Sequence, residues 1–169
     1  MPGMTAYSIE PLDASGRFDR ELESLLKMVY VGGGFTEPSL ADSSFNGASV
    51  RARGDVLVAK DSSGTLLGSV VVVASDSPAR RFAVSGEAEL HLLCVHPDQR
   101  GRGIGSALVS AALETACRSG ATRMILWTQP TMTAAHALYQ RHNFTRVPEL
   151  DFSRGPRSFR VFAHTLAPE

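Results

Sequence analysis

Arg100-Gly101-Arg102-Gly103-Ile104-Gly105 stands between the apolar run Leu90–Val95 and the Ala/Leu/Val-rich stretch from Ser106 to Cys117. Strand, glycine-rich turn, then helix is an order that builds an anion site. The first turn of a helix leaves backbone N–H groups unpaired and carries the positive end of the helix dipole, so a phosphate satisfies several donors together. Gly101, Gly103 and Gly105 remove the Cβ atoms that would hold a phosphate off those donors, and they permit positive φ where the turn needs it. Arg100 and Arg102 add fixed positive charge. Two nucleotide registers fail on spacing. A Walker loop needs Lys after its second glycine, and none follows here. A dinucleotide fingerprint needs its third glycine where Ser106 stands.

The whole chain bounds the answer. Its 169 residues, 43% of them hydrophobic, suffice for one well-cored domain over residues 1–169. Seventeen basic side chains balance seventeen acidic ones, so no global charge favours nucleic acid or an anionic membrane. Cys94, in a predicted buried strand, and Cys117, near a helix end, read as reduced thiols rather than a disulfide framework or a metal site. Met1–Glu10 lacks a basic segment followed by an apolar one, and no apolar run reaches the length of a membrane span. The expectation is a cytoplasmic protein without a nucleic-acid or membrane partner, acting as a monomer or homodimer.

Outward from the glycine turn, periodicity assigns the remaining elements. Ala6–Pro11 reads as a first strand. Phe18, Leu22, Leu25, Leu26 and Val29 recur at helical spacing over Ser15–Tyr30, and Gly32-Gly33-Gly34 ends that helix. Phe35–Arg53 is mixed in polarity and reads as a short helix or a loop. Asp55–Lys60 and Thr65–Ala74 form a hairpin across Asp61-Ser62-Ser63-Gly64. Ser75–Gly86 is an exposed connection, Ala88–Val95 a strand, and Ile104, Leu108, Ala111, Ala112 and Thr115 one stripe of the next helix. Ala121–Thr128 alternates Met124, Leu126 and Thr128 against Ile125 and Trp127. A helix capped by Thr131 or Thr133 then runs to about His142, and Phe144–Val147 and Arg157–Leu166 close the sheet. This order predicts an α/β (α+β) fold with a mixed, mostly antiparallel sheet and helices on both faces.

Arg100-x-x-Gly103-x-Gly105 resembles the acyl-CoA pyrophosphate signature of the GNAT acetyltransferases, Gln/Arg-x-x-Gly-x-Gly/Ala. Over Glu87–Val147, about a third of the chain, further segments are similar in order and spacing. Ala88–Pro97 resembles the family's central strand, and Ala135-His136-Ala137-Leu138-Tyr139-Gln140-Arg141-His142-Asn143-Phe144 its Ala-x-x-Leu-Tyr-x-x-x-Gly-Phe segment. Asn143 stands where the family has glycine, a tolerable change because Asn enters the left-handed region more readily than other residues. Met132 stands where an Asn is frequent, which removes one side-chain contact to the cofactor or passes it to Thr131 or Thr133.

The resemblance implies a GNAT fold of about seven strands whose fourth and fifth strands splay apart. It implies acetyl-CoA as acyl-donor cosubstrate, no metal, and a small-molecule or peptide amine as acceptor. Leu93, Cys94 and Val95 are then the backbone partners of pantetheine, with a Val95-region amide as oxyanion donor. Arg100, Gly101, Arg102, Gly103, Ile104, Gly105 and Ser106 hold the pyrophosphate, and Ala135 and Tyr139 also face the cofactor. Glu89 is implied as general base through water, with Glu87 and His91 as alternatives. Tyr139 is implied as the acid for the departing thiolate, since a phenol of pKa about 10 is protonated at neutral pH. His91 shares the parity of Glu89 unless a bulge separates them. The scattered His96, His136, His142 and His164 read as satisfied surface groups, and Trp127 as core. Acceptor contacts are expected from Phe35–Arg53, Ser75–Gly86 and the closing strands, with Arg51, Arg53, Arg80 and Arg81 available to an acidic acceptor. A noncatalytic acyl-CoA-binding module and a transferase of a larger acyl group are the alternatives.

Overall fold

Alternation in the strands sorts their side chains into two apolar layers, and helices cover both. Val56, Val58, Val71 and Val73 face one side and pack with Leu22, Leu25 and Leu26, while Leu57, Ala59, Val70 and Val72 face the other and pack with Ile104, Leu108 and Ala112. A computed structural model describes residues 6–166. The reading of Met1–Glu10 therefore falls partly outside the described residues.

The elements follow in the order β1 (Tyr7–Pro11), α1 (Asp19–Tyr30), α2 (Ala41–Phe45), α3 (Gly47–Arg53), β2 (Asp55–Asp61), β3 (Leu66–Ala74) and β4 (Glu87–Val95), then α4 (Ile104–Arg118), β5 (Arg123–Thr128), α5 (Thr133–Arg141), β6 (Thr145–Arg146), β7 (Phe152–Arg154) and β8 (Arg157–Thr165). Eight strands are ordered β1-β2-β3-β4-β5-β8-β6, with β7 paired to β8 off that path. All pairings are antiparallel except β4–β5. The fold class is as expected, and the extra strand is β7, too short to show alternation in the sequence.

Three local expectations are corrected. The first helix begins at Asp19 rather than Ser15, because Gly16 takes a left-handed φ of 88°. Phe35–Arg53 forms α2 and α3, joined by Asn46, whose side chain accepts from the Ser49 amide. Neither Thr131 nor Thr133 caps α5: the capping position is Met132, and no side chain bonds there. Asn143 does take the left-handed conformation, at φ 65°.

The feature that positions the site is in β4. Its parallel pairing with β5 covers Glu87–Glu89 against Arg123–Ile125 and goes no further. Against β3, the register runs Val71 to His91 and Ser69 to Cys94, so β4 carries one residue more than its partner. Leu92, with φ 53°, is at this bulge. The bulge follows His91, so Glu89 and His91 keep one face, and from Leu92 onward the parity inverts: Leu92 and Cys94 now join the α1 layer, and Leu93 and Val95 the α4 layer. The strands part where the bulge turns β4 away from β5. Among the described residues no helix is long and apolar enough to cross a membrane.

Candidate active site

Two cavities adjoin at this split. One, about 440 Å³, is lined by Leu93, Cys94 and Val95 of β4, by Arg100, Gly101, Gly103, Ile104, Gly105 and Ser106 of the turn and α4, and by Ala135 of α5. The other, about 390 Å³, is lined by α1–α3, by His91 and Trp127, and by the hairpin from Arg154 to Phe159. Tyr30, Phe35, Leu93 and Met132 line both.

The first cavity gathers ten of the cofactor-facing residues read from the sequence. Gly101 and Gly103 hold φ of 79° and 77°; a Cβ added at Gly101 would meet nothing within 4 Å, and one at Gly103 only the Tyr7 hydroxyl at 3.9 Å. These two make the cradle that a side chain would fill and strain. Gly105 differs: it is helical, and a Cβ there would meet Leu138 at 3.2 Å, so its small size serves the α4–α5 approach. Ala107 donates to the Gly103 carbonyl, which places the amides of Ile104, Gly105 and Ser106 in the unpaired first turn. Their direction and the flanking charge suit a pyrophosphate. Arg100 lines this cavity, and so does Arg141 of α5, which the sequence reading passed over as a helix-surface cation. Arg102 is a correction: its guanidinium lies 5.6 Å from the Tyr7 ring and donates to Gln99, and it is not in the cavity wall. The Ser106 hydroxyl is 2.8 Å from His142 Nε2.

Tyr139 is buried against Phe144 and Phe162 in the α4 layer, yet it lines the second cavity through the gap in the sheet. Its hydroxyl makes no hydrogen bond within the described residues, and burial pushes its pKa well above the usual phenol value. It is a protonated donor with its proton uncommitted. Tyr30, unassigned from the sequence, donates to the Leu93 carbonyl at 2.8 Å and fixes the bulged strand from the α1 side. Cys94 turns its thiol away to Ser69 at 3.2 Å, and burial raises it to about 11.

Glu89 is placed differently from the expectation of a water-relaying base. Its side chain is wholly enclosed. Its oxygens accept from the amides of Arg81, Phe82 and Ala83 at 2.6–3.0 Å, and from His91 Nε2 at 2.8 Å. Burial alone would raise its pKa, but the His91 bond and those amides outweigh it and hold the carboxyl below its usual range. The Ser75–Gly86 connection thus wraps Glu89 and lines neither cavity. His91 is the group of this pair that reaches the cavity wall. Arg53 Nη1 lies 3.3 Å from His91 Nδ1; a guanidinium only donates, so Nδ1 accepts and Nε2 carries the proton given to Glu89. Trp127 meets His91 edge-on at 4.8 Å between centroids and lines the cavity, rather than lying wholly in the core.

The remaining histidines are satisfied by neighbours: His136 by the Gln129 carbonyl, His164 by the Asn143 carbonyl, and His96 by the Asp98 amide. Among the described residues neither Cys94 nor Cys117 is in a disulfide. Among the described residues no group of His, Cys, Asp and Glu is gathered to hold a metal ion.

A bulged central strand, a left-handed glycine turn on a helix start and a buried helix tyrosine thus meet around two adjoining cavities. The sequence pattern of the Acetyltransferase (GNAT) family matches residues 21–144, and the chain belongs to that family. It is similar to mycothiol acetyltransferase of Clavibacter sepedonicus, 41% identical over 59 residues, which are 35% of this chain and 19% of that protein. An uncharacterized N-acetyltransferase of Schizosaccharomyces pombe is 34% identical over 91 residues, 54% of this chain and 52% of that one. The matches thus span from about a fifth to about half of these relatives. Among solved structures, a GNAT acetyltransferase of Staphylococcus aureus superposes with TM-score 0.76 at 15% identity, covering 96% of this chain and all of the other. An acetyltransferase of Streptococcus agalactiae gives 0.74 at 18%, with 96% and 100% covered. These two likenesses are of fold.

Proposed function

We propose that this chain is an N-acetyltransferase that moves the acetyl group of acetyl-CoA to a primary amine by direct attack within a ternary complex. One observation carries the reading: the two cavities share Tyr30, Phe35, Leu93 and Met132 beside the place where β4 and β5 part, and Tyr139, its hydroxyl uncommitted, lines the second of them. Acetyl-CoA supplies a thioester carbonyl as electrophile and a thiolate as leaving group.

The glycine turn and the α4 amides hold the pyrophosphate, with Arg100 and Arg141 at the rim. On the side that leaves β5, Leu93–Val95 offers backbone groups to pantetheine, the Leu93 carbonyl already accepting from Tyr30, and an amide near Val95 receives the oxyanion. An alkylammonium has pKa about 10.4 and must lose a proton before attack. His91 Nδ1 takes that proton, and Glu89 acts through it as a positioning residue, holding the tautomer and offsetting the imidazolium charge. The new C–N bond forms as the C–S bond breaks. Tyr139 delivers a proton to the sulfur and is restored through water by the second proton that the nitrogen sheds as the adduct collapses, while the proton taken by His91 leaves to solvent.

Free thiol is measured with acetyl-CoA and a broad amine panel, beside a separate titration of acetyl-CoA. Turnover with at least one amine class is expected. Tight acetyl-CoA binding without turnover on any amine would make the chain a binding module instead.

A further inference from the structure

We infer that the acceptor is an amine whose apolar body ends in a carboxylate, and that Arg53, assisted by Arg154, is the residue that selects it. The inference rests on the transferase reading for its use of the word acceptor, and on the cavity beside His91 for its content.

Of the four arginines available to an acidic ligand by sequence, three are engaged elsewhere. Arg51 is paired with Asp19 at 2.8 Å, Arg80 donates to the Ala83 carbonyl, and Arg81 lies over the Phe152 ring at 3.7 Å. Arg53 alone among them lines either of the two cavities described. The cavity's charged side chains, His91 aside, are Glu37, Arg53, Arg154 and Arg157. Glu37 and Arg157 cancel in an ion pair of 2.9 Å. Arg53 and Arg154 remain, and neither has a carboxylate partner among the described residues.

Arg53 is partly buried, and desolvation lowers its pKa, as does the charge of Arg154. Among the described residues its side-chain bonds go to neutral acceptors: the Ser44 carbonyl at 3.2 Å and His91 Nδ1 at a long 3.3 Å. A guanidinium has five donors, and three of those of Arg53 have no partner among the described residues. Two like charges lining one cavity, Arg53 of them partly desolvated, are unfavourable until an anion joins them. A carboxylate is a stronger acceptor than an imidazole nitrogen, and it matches the planar fork. It draws Nη1 from His91, and Nδ1 is then free to take the amine's proton through water. Around this polar corner the walls are Phe35, Phe45, Trp127 and Phe159, which suit an apolar linker between the two ends.

The test uses matched pairs: 4-(aminomethyl)benzoate with benzylamine, 5-aminopentanoate with pentylamine, and 6-aminohexanoate with hexylamine. Binding is titrated calorimetrically on wild type, R53Q, R53K and R154Q, with free-thiol turnover recorded separately. The carboxylated member of at least one pair is expected to bind ~10- to 100-fold more tightly, the worth of a partly desolvated charge-assisted bond. R53Q should reduce that preference to about twofold, with acetyl-CoA affinity unchanged. R53K should keep part of it, and R154Q should reduce it several-fold, so the inference is tested even where R53Q loses fold. Equal or better binding of the neutral members in all three pairs overturns it, whatever the turnover. Selective binding of carboxylates without turnover supports this site and counts against the transferase reading alone.

Discussion

His91 Nε2 stands 2.8 Å from Glu89 Oε1, and the two side chains are only 3% and 0% exposed. Glu89 also binds three consecutive loop amides, so one carboxylate ties the imidazole to the Ser75–Gly86 connection.

Replacing Glu89 by Gln puts an amide donor opposite backbone donors. Wild type should exceed E89Q in stability by about 1–3 kcal/mol at pH 7. The folded-state pKa of Glu89 is depressed. Its contribution is therefore full above the unfolded value of about 4.3 and fades as pH falls through the folded value. Urea midpoints of the two proteins should converge on acidification below about pH 4. A gap that stays constant down to pH 3 would remove the buried anion from this account.

Tyr139→Phe deletes a hydroxyl that bonds nothing within the described residues. Turnover is expected to fall ~100-fold or more, as for loss of a general acid. Acetyl-CoA affinity should stay within about twofold and stability within about 0.5 kcal/mol. Full turnover in Y139F would return Tyr139 to a packing role.

Gly103→Ala forces a Cβ into a φ of 77°, and about 1–2 kcal/mol of stability should be lost. Acetyl-CoA affinity should fall with it. In G105A the gain in helix propensity, up to ~1 kcal/mol, offsets pressure on the movable Leu138 tip, so stability should change by less than about 1 kcal/mol. Urea titration of both variants separates strained turn from helix contact.

Arg100→Gln and Arg141→Gln should each weaken acetyl-CoA binding ~3- to 10-fold, with the loss shrinking at high salt, because both guanidiniums are exposed at the rim. Arg102→Gln should leave affinity within about twofold, since that side chain lies against Tyr7 and Gln99. Calorimetric titration at two salt concentrations checks all three, and an R102Q loss as large as that of R100Q would refute the placement.

What could be read from the sequence was local. The order of strand, glycine turn and helix is written in consecutive residues, and Asn143 announces its left-handed backbone by its own chemistry. The rest depends on residues far apart in the chain. Tyr30 meets Leu93 across 63 positions, and no periodicity in α1 marks its last aromatic as a strut for β4. Glu89 sits on a strand at the right parity, but the loop amides that enclose it come from a connection without regular structure. Arg102 matches the charge of its neighbour Arg100, and only the packing of β1 beneath the turn draws it aside. Arg53 was one of four surface-type arginines until α3 docked and turned it, alone of them, into the cavity.

Leu92 is one residue of surplus backbone. On either side of it, removing a position restores a single register: Ser69 would pair where Cys94 now lies and Val71 where His91 lies, with each side chain on its present face. A chain lacking Leu92 should therefore keep both apolar layers and relieve a left-handed leucine, a strain of about 1–2 kcal/mol. It should fold at least as stably as the wild type and bind acetyl-CoA poorly, because an uninterrupted β4 would stay beside β5. In this molecule a deletion is a more conservative edit to the fold than to the site, and lineages that gain or lose one residue here would trade a slot for a seam.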